Sequence, residues 1–312
     1  KTEGLGGIYR ALMENSQAFN KTWGIPFQRS TPVMYWNEAA FKAAGLDPEH
    51  APASWDEMVE MAKKLTIKDA AGNVTQWGVR IPTAGFPYWL FQGVAIPNGG
   101  ILASADGTST AFNSAESVEA AEKLVGLTTA DGVMEKGTLD WGTTPKAFFE
   151  GNAAMIWTTT GNLTNITQNA PFPFGVGFLP AAKTYGAPTG GGNFYLFKDS
   201  TDEEKKASVD FVKWMTAPEQ AAKWTIATGY VAPRAEDWDT QALKDYVVTV
   251  PGALVAREQL QYAKAELTVY QNAQVTQVLN SALEAIMTGQ TEPKAALDEA
   301  QAKADEILKA YR

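Results

Sequence analysis

Between residues 55 and 65 the apolar positions Trp55, Met58, Val59, Ala62 and Leu65 recur at the three- and four-residue spacing of a single helix face. Ser54-Trp55-Asp56-Glu57 reads as a capping box, in which the Ser54 hydroxyl accepts from the Glu57 amide and the Glu57 carboxylate turns back to the first one. The spacing predicts a helix over 55–65. The same start logic places helices over 115–127 after Ser114, over 146–150 after Thr144-Pro145, and up to Met215 after Thr201-Asp202-Glu203-Glu204. Thr216-Ala217-Pro218-Glu219 opens a further helix that Gly229 closes. From Asn272 the pattern is helical to the end, broken only at Gly289-Gln290-Thr291-Glu292-Pro293.

Short apolar runs lie between these helices, at 32–36, 76–81, 153–158, 174–179 and 193–197, and read as strands. Strands alternating with helices predict an α/β fold with mainly parallel sheets, and the helical carboxyl-terminal stretch is expected to pack over one of them. No repeat of 20 to 50 residues and no low-complexity linker interrupts the 312-residue chain.

Composition narrows the function. Hydrophobic residues make up 45% and charged residues 20%, which suits one large α/β unit or two units of roughly 150 residues and excludes disordered and collagen-like chains. The net charge of −9, with Lys and Arg scattered, repels phosphate backbones and argues against a nucleic-acid partner. The most apolar stretch, 88–97, has about half of the roughly 20 residues that a bilayer span needs. The start, Lys1-Thr2-Glu3-Gly4-Leu5, has no basic head followed by an apolar core, so an export signal is expected to have been removed or never present. Cysteine is absent, which excludes disulfides, zinc-thiolate sites and a thiol nucleophile, and suits an exported bacterial protein. The single histidine, His50, sits in a proline-bracketed turn and rules out multi-histidine metal sites. No metal and no cofactor are expected.

Catalytic motifs are likewise missing: there is no P-loop, no HExxH pair and no GxSxG elbow. Gly4-Leu5-Gly6-Gly7 resembles a fragment of a dinucleotide fingerprint without the flanking strand and helix, and Thr189-Gly190-Gly191-Gly192-Asn193 enters a strand rather than a helix, which removes helix-terminus anion binding. Among the 35 acidic residues Asp140, beside Trp141, is the most site-like, which keeps a glycoside hydrolase open as a rival of another class. The aromatic residues say more. The chain has ten Trp and ten Tyr, and several fall at turns or strand ends beside small polar residues: Tyr35-Trp36, Tyr88-Trp89, Trp141, Trp157-Thr158-Thr159-Thr160-Gly161-Asn162, Asn193-Phe194-Tyr195 and Gly229-Tyr230. Rings that stack on C–H faces beside hydroxyl, amide and backbone donors suit a sugar or polyol.

At these positions the chain resembles the extracellular solute-binding proteins of ABC importers, with the glycerol 3-phosphate-binding members nearest and the maltose-binding members more distant. The resemblance rests on the run from Gly24-Ile25-Pro26 to Ser30-Thr31-Pro32 and on to Tyr35-Trp36-Asn37, on Phe41-Lys42-Ala43-Ala44-Gly45-Leu46-Asp47-Pro48, and on the Ser54 helix start. Further matches follow in family order: Phe148-Phe149-Glu150-Gly151-Asn152-Ala153-Ala154-Met155, Gly175-Val176-Gly177-Phe178-Leu179-Pro180, Gly190-Gly191-Gly192 and Thr228-Gly229-Tyr230.

The resemblance implies a two-lobed periplasmic-binding-protein-like fold of type II with a ligand cleft, hinge closure on binding, and a helical carboxyl-terminal segment. It places 1–30 plus 176–231 in a partial first lobe and 32–175 plus 235–312 in the second, with crossings near 30–32, 175–178 and 231–235. The first lobe is expected to be incomplete, since family members begin with roughly a hundred further residues, the size of a small domain. By motif, Ser30, Tyr88 or Trp89, Thr160, Gly191 and Tyr230 are implied cleft positions, and Trp157 and Asn193 join them from the aromatic reading. No catalytic residue is assigned. The glycerol phosphate binders carry an arginine for phosphate in the segment matching 267–275, which here holds none, so a neutral sugar or oligosaccharide is favoured over glycerol 3-phosphate or a glycerophosphodiester. Also implied are a membrane ABC permease as partner, a monomeric state, and a periplasmic or extracellular location, with a lipid anchor on the full precursor included in that expectation.

Overall fold

The computed structural model describes residues 6–312. The start Lys1-Thr2-Glu3-Gly4-Leu5, with the first half of the Gly4-Leu5-Gly6-Gly7 motif, lies outside the described residues. Along the chain the longer elements are β1 (Ile25–Ser30), β2 (Pro32–Asn37), α1 (Trp55–Leu65), β3 (Ile67–Lys68), β4 (Val74–Arg80), α2 (Pro87–Ala95) and α3 (Ala115–Gly126). After them come β5 (Ala153–Thr159), β6 (Phe174–Gly177), β7 (Gly190–Phe194), α4 (Asp202–Met215) and α5 (Pro218–Thr228). The chain ends with α6 (Gln241–Thr249), α7 (Gly252–Gln259), α8 (Asn272–Met287) and α9 (Pro293–Leu308).

Two compact units emerge. The first combines the described part of Lys1–Thr31 with Thr159–Gln168 and Thr189–Ala265, and the second combines Pro32–Thr158, Asn169–Pro188 and Glu266–Arg312. Relative to the sequence reading, 176–188 falls in the second unit, and 159–168 and 235–265 fall in the first. For 235–265 the physical reason is burial: Trp238, Leu243, Ala256 and Leu260 sink into the core that Leu12, Ala222 and Val231 form.

The second unit is built on a five-stranded sheet of order β3-β4-β5-β2-β6. β4 and β5 run parallel, pairing Trp77 with Ala153 and Val79 with Met155, whereas β3 pairs antiparallel with β4 and β6 antiparallel with β2. The sheet is therefore mixed rather than mainly parallel, with an antiparallel strand at each edge. The Trp36 ring lies over Gly175 so closely that an added Cβ would meet it at 1.9 Å, which locks β6 to β2. Helix α1 packs on β4 through Gly78, and Ser54 caps it as expected, its hydroxyl accepting the Glu57 N–H at 3.2 Å. Glu57 departs from the expected box: its carboxylate accepts the Ala53 N–H at 2.7 Å and faces His50 at 3.0 Å. Burial pushes that carboxyl up, but the Ala53 and His50 hydrogen bonds outweigh it and hold the group below its ordinary range. Helices α8 and α9 bury Leu279, Leu283, Ile286, Leu297 and Ala300 in the same core as Phe91, Met155 and Trp157.

In the first unit, β1 and β7 pair antiparallel, with a bulge between Gly192 and Asn193. The strand expected at 193–197 thus begins at the glycine run, leaving Tyr195, Leu196 and Phe197 exposed beyond it. Thr201 and Glu204 form a complete capping box at α4, and Gly229 ends α5 in the left-handed conformation at φ +94°.

Asp237 in this unit has no exposed surface and accepts the Arg234 N–H at 2.8 Å. Burial pushes its carboxyl up to about 6 even with Arg234 opposing. The folded chain then holds a proton that the unfolded chain releases near pH 4, so this group removes stability as pH rises from about 4 to about 6. Relative to Asp237→Asn, the wild-type chain is expected to lose on the order of 2 kcal/mol across that window, read from denaturant midpoints at a series of pH values. Parallel curves for the two proteins would contradict it.

Candidate functional site

The eight residues expected in the site divide between the units: Ser30, Thr160, Gly191, Asn193 and Tyr230 in the first, Tyr88, Trp89 and Trp157 in the second.

In the first unit, Ser30, Gly191 and Asn193 lie on the paired strands β1 and β7, Thr160 on the short 3-10 turn Thr160–Asn162, and Tyr230 just past the Gly229 cap of α5. Ser30 pairs with Gly190 and Arg29 with Gly191. Gly191 must be glycine, because its φ is +92° and a Cβ would stand 1.9 Å from the Gln28 carbonyl oxygen. The buried Arg29 guanidinium donates to the Gly191 carbonyl at 3.4 Å and to Thr189 Oγ1 at 3.4 Å, stapling the glycine run to β1. The Thr160 N–H donates to the Thr31 carbonyl at 3.0 Å, and the Val231 N–H to the Arg29 carbonyl at 2.8 Å. The Tyr230 ring, half-buried, covers Gly161. Thr160 Oγ1 and Asn193 Oδ1 are buried without a hydrogen-bond partner, while Asn193 Nδ2 donates to the Tyr195 hydroxyl at 3.1 Å. Arg29 was not among the sequence-derived candidates, since a charged residue on a strand gives no sign that it will be 2% exposed.

In the second unit the outcome is divided. Trp157 is fully buried at 0% exposure, edge-on to Trp55 with ring centres 6.1 Å apart, so the aromatic reading of Trp157 as a ligand platform is corrected to a core residue. Trp89 is also buried, its ring edge-on to Trp141 at 5.8 Å, and Trp141 in turn meets the exposed ring of Phe86 at 5.6 Å. Tyr88 is different. Its hydroxyl donates to Glu266 Oε1 at 2.5 Å, and its N–H, one of the unpaired donors at the start of α2, donates to Asn280 Oδ1 at 3.1 Å. One turn along α2, Gln92 Oε1 accepts the Leu267 N–H at 2.9 Å. Burial first, then the Glu266 charge and the hydrogen bond to it, push the Tyr88 hydroxyl well above its ordinary pKa, so it remains a donor at physiological pH. Glu266, Asn280 and Gln92 carried no local signal, because Glu266 lies 178 residues from Tyr88 in the chain.

Asp140, the acid singled out by its neighbour Trp141, accepts the Thr143 N–H at 3.0 Å and so serves the turn into the helix Thr144–Phe149. Each unit also carries a surface hollow of about 500 Å³. The one in the second unit lies against α1 and α3, among Glu60, Glu119, Glu122, Lys63 and Lys123, and the one in the first lies among Arg10, Glu14, Arg257 and Lys264. Neither is lined by any of the eight expected residues. Among the described residues no group of three or more His, Asp or Glu could hold a metal ion, and no helix is long and apolar enough to cross a membrane.

Two α/β units exchanging the chain several times, with a mixed sheet in one and terminal helices completing its core, define the class of two-lobed solute-binding proteins. Solved structures agree on the fold. The glycerophosphocholine complex of UgpB from Mycobacterium tuberculosis covers 98% of this chain and 75% of its own, at TM-score 0.85 and 22% identity. The cyclic alpha-maltosyl-1,6-maltose binding protein from Arthrobacter globiformis covers 98% and 77% at TM-score 0.82 and 24% identity. An ABC substrate-binding protein from Listeria monocytogenes in complex with cycloalternan covers 97% and 76% at TM-score 0.81 and 26% identity. The chain belongs to the bacterial extracellular solute-binding protein family, whose profile matches residues 2–251. Among curated relatives, the sn-glycerol-3-phosphate-binding periplasmic proteins UgpB of Yersinia pseudotuberculosis and Salmonella typhimurium are each 31% identical over 300 residues, spanning 92% of this chain and 67% of theirs.

Proposed function

We propose that this chain is the solute-capturing component of an ABC importer, taking a sugar or oligosaccharide outside the cytoplasmic membrane and presenting it, chemically unaltered, to a membrane permease. The observation that carries this reading is the family match over residues 2–251, supported by relatives whose names are those of binding proteins rather than enzymes. The choice of a neutral solute follows from the segment 267–275, Leu-Thr-Val-Tyr-Gln-Asn-Ala-Gln-Val, which has no Lys or Arg to pair with a phosphate. In the first unit, Tyr230 would supply a ring face, with the Thr160 hydroxyl and the Asn193 amide oxygen as hydrogen-bonding groups lacking partners of their own. Ser30 and Gly191 lie on the antiparallel pair of β1 and β7 in the same unit.

A second reading, glycerol 3-phosphate or a glycerophosphodiester as the ligand, is favoured by the names of the 31% identical relatives. Thermal unfolding of the 312-residue chain against a panel of neutral sugars and glycerophosphates separates the two, because a ligand that binds only the folded form raises the midpoint by an amount that grows with the logarithm of its concentration over Kd. A rise with a neutral oligosaccharide supports the sugar reading, and a rise confined to glycerophosphates replaces it with the second. Tyr230→Ala is expected to weaken sugar binding about tenfold while shifting the unliganded midpoint by only a few degrees, since a stacked ring of this kind contributes roughly 1 kcal/mol beyond its buried area. Unchanged affinity would remove Tyr230 from the site.

A further inference from the structure

We infer that, in the first unit, the open edge of β7 and the exposed rings of α4 form one docking surface, and that its occupant is the part of the solute-binding fold that this chain does not span. That part adds a strand beside β7 and covers the rings. The inference does not depend on which solute the chain takes.

The sheet of the first unit is unfinished. β1 and β7 come from positions some 160 residues apart and make a sheet of two strands. Among the described residues, β1 otherwise meets only the isolated bridge of Arg29 with Val231, and no strand pairs with the other edge of β7. Two strands alone are marginal in water, and an open edge is ordinarily guarded by a charge or a proline. Gly190-Gly191-Gly192-Asn193-Phe194 carries neither. An extended segment can therefore pair with this edge as a third strand.

Helix α4 is unfinished in the same sense. It has a complete capping box, yet it buries none of its 14 residues. Its half-buried positions are Lys205, Ser208, Val212 and Met215, whereas Val209, Phe211 and Trp214 stay 37%, 52% and 56% exposed. A surface helix normally keeps its rings inward and its lysines in water. The exposed rings are also continuous with the sheet. Phe27 stacks on Phe194 at 4.6 Å, Phe194 meets Phe211 edge-on at 5.9 Å, and Phe211 lies 6.3 Å from Trp214. One row of aromatic surface thus runs from the strands to the last turn of α4, with Leu196 and Phe197 exposed just past β7. A contiguous apolar surface of this kind marks an interface.

The relatives supply the occupant. This chain covers 75% of UgpB from Mycobacterium tuberculosis, whose fold it shares, and 67% of UgpB from Yersinia pseudotuberculosis. The unmatched remainder is a quarter to a third of each protein, ample polypeptide for a strand and an apolar covering face. Charge argues against a lipid surface instead: α4 carries four acidic and three basic side chains, with no positive excess to draw it to an anionic membrane.

The test coexpresses the full 312-residue chain with the portion of Yersinia pseudotuberculosis UgpB to which it has no match, and reads complex mass by light scattering and amide exchange by mass spectrometry. A one-to-one complex is expected, with exchange at residues 190–194 slowed about tenfold or more. Trp214→Glu exchanges an exposed ring for a good helix former. It is expected to hold the unfolding midpoint of the 312-residue chain within a few degrees while weakening the complex about thirtyfold, the loss of a central aromatic contact. Val248→Glu, at an 81% exposed position on α6 outside this row, should leave the complex unchanged. Absence of a complex would overturn the inference, as would a complex that Trp214→Glu leaves intact, or one in which 190–194 exchange as fast as in the chain alone. A dimer of the 312-residue chain that Trp214→Glu dissolves would overturn it too, by making a second copy the occupant.

Discussion

Trp157→Ala is expected to destabilise the chain by about 3 to 5 kcal/mol, a large share of the roughly 5 to 15 kcal/mol that holds a folded domain together. The side chain has no exposed surface, its ring meets Trp55 edge-on, and a Cβ added at Gly93 would stand 3.4 Å from its rim. Removing it opens a cavity walled by strand β5 and helices α1 and α2, elements too closely packed to collapse into the space. Trp157→Phe is expected to cost much less, since it retains most of the volume and deletes an indole N–H that has no hydrogen-bond partner. Chemical denaturation with both variants checks the pair. If Trp157→Ala kept the wild-type midpoint and instead lost ligand affinity, the ring would be a ligand platform after all.

Gly78→Ala should be at least as damaging, for an unrelated reason. The Cβ it introduces would lie 2.1 Å from the Ala62 carbonyl oxygen and 2.6 Å from Ala62 Cα, so the obstruction is the backbone of α1 and not the movable end of a side chain. The same contact places the Gly78 N–H on Thr66 Oγ1 at 3.1 Å, and Thr66 Oγ1 donates in turn to the Ala62 carbonyl at 2.8 Å. Relieving the clash means lifting α1 off the sheet and breaking this relay, an overpacking cost of several kcal/mol. Gly192→Ala is the control, with ordinary φ and open space around its Cβ, and is expected to be nearly neutral. Midpoints measured side by side should differ by roughly ten degrees. Equal midpoints would mean that α1 does not rest on Gly78.

What could be read from the chain was whatever is decided locally. The Ser54 and Thr201 helix starts and the Gly229 stop depend on residues within four positions of one another, and all three stand where their spacing puts them. Helix α2 gave no periodic signal because Trp89, Leu90, Phe91, Val94 and Ala95 are buried on every side, which makes it indistinguishable in pattern from a buried strand. Helix α6 buries only Leu243 and so lacks a stripe, and β1 was masked by Pro26 and by Arg29, whose burial depends on partners some 160 residues away. The same division runs through the site. The glycine run signals the positive φ of Gly191, but whether a tryptophan packs inward or faces a ligand is settled by tertiary neighbours, and Trp157 packs inward. Glu266 was one carboxylate among many until a tyrosine from another segment closed on it.

Capture without chemistry is what the proposed function demands of this chain above all. Equilibrium dialysis of the full chain against radiolabelled maltose and maltotriose, followed by denaturation and chromatography of the released label, measures both halves at once. Saturable binding at one sugar per chain, with the label recovered intact after prolonged incubation, is the predicted result. Shortened sugar that accumulates with time would instead make the chain a hydrolase, and a label that never exceeds its free concentration would deny it a sugar altogether.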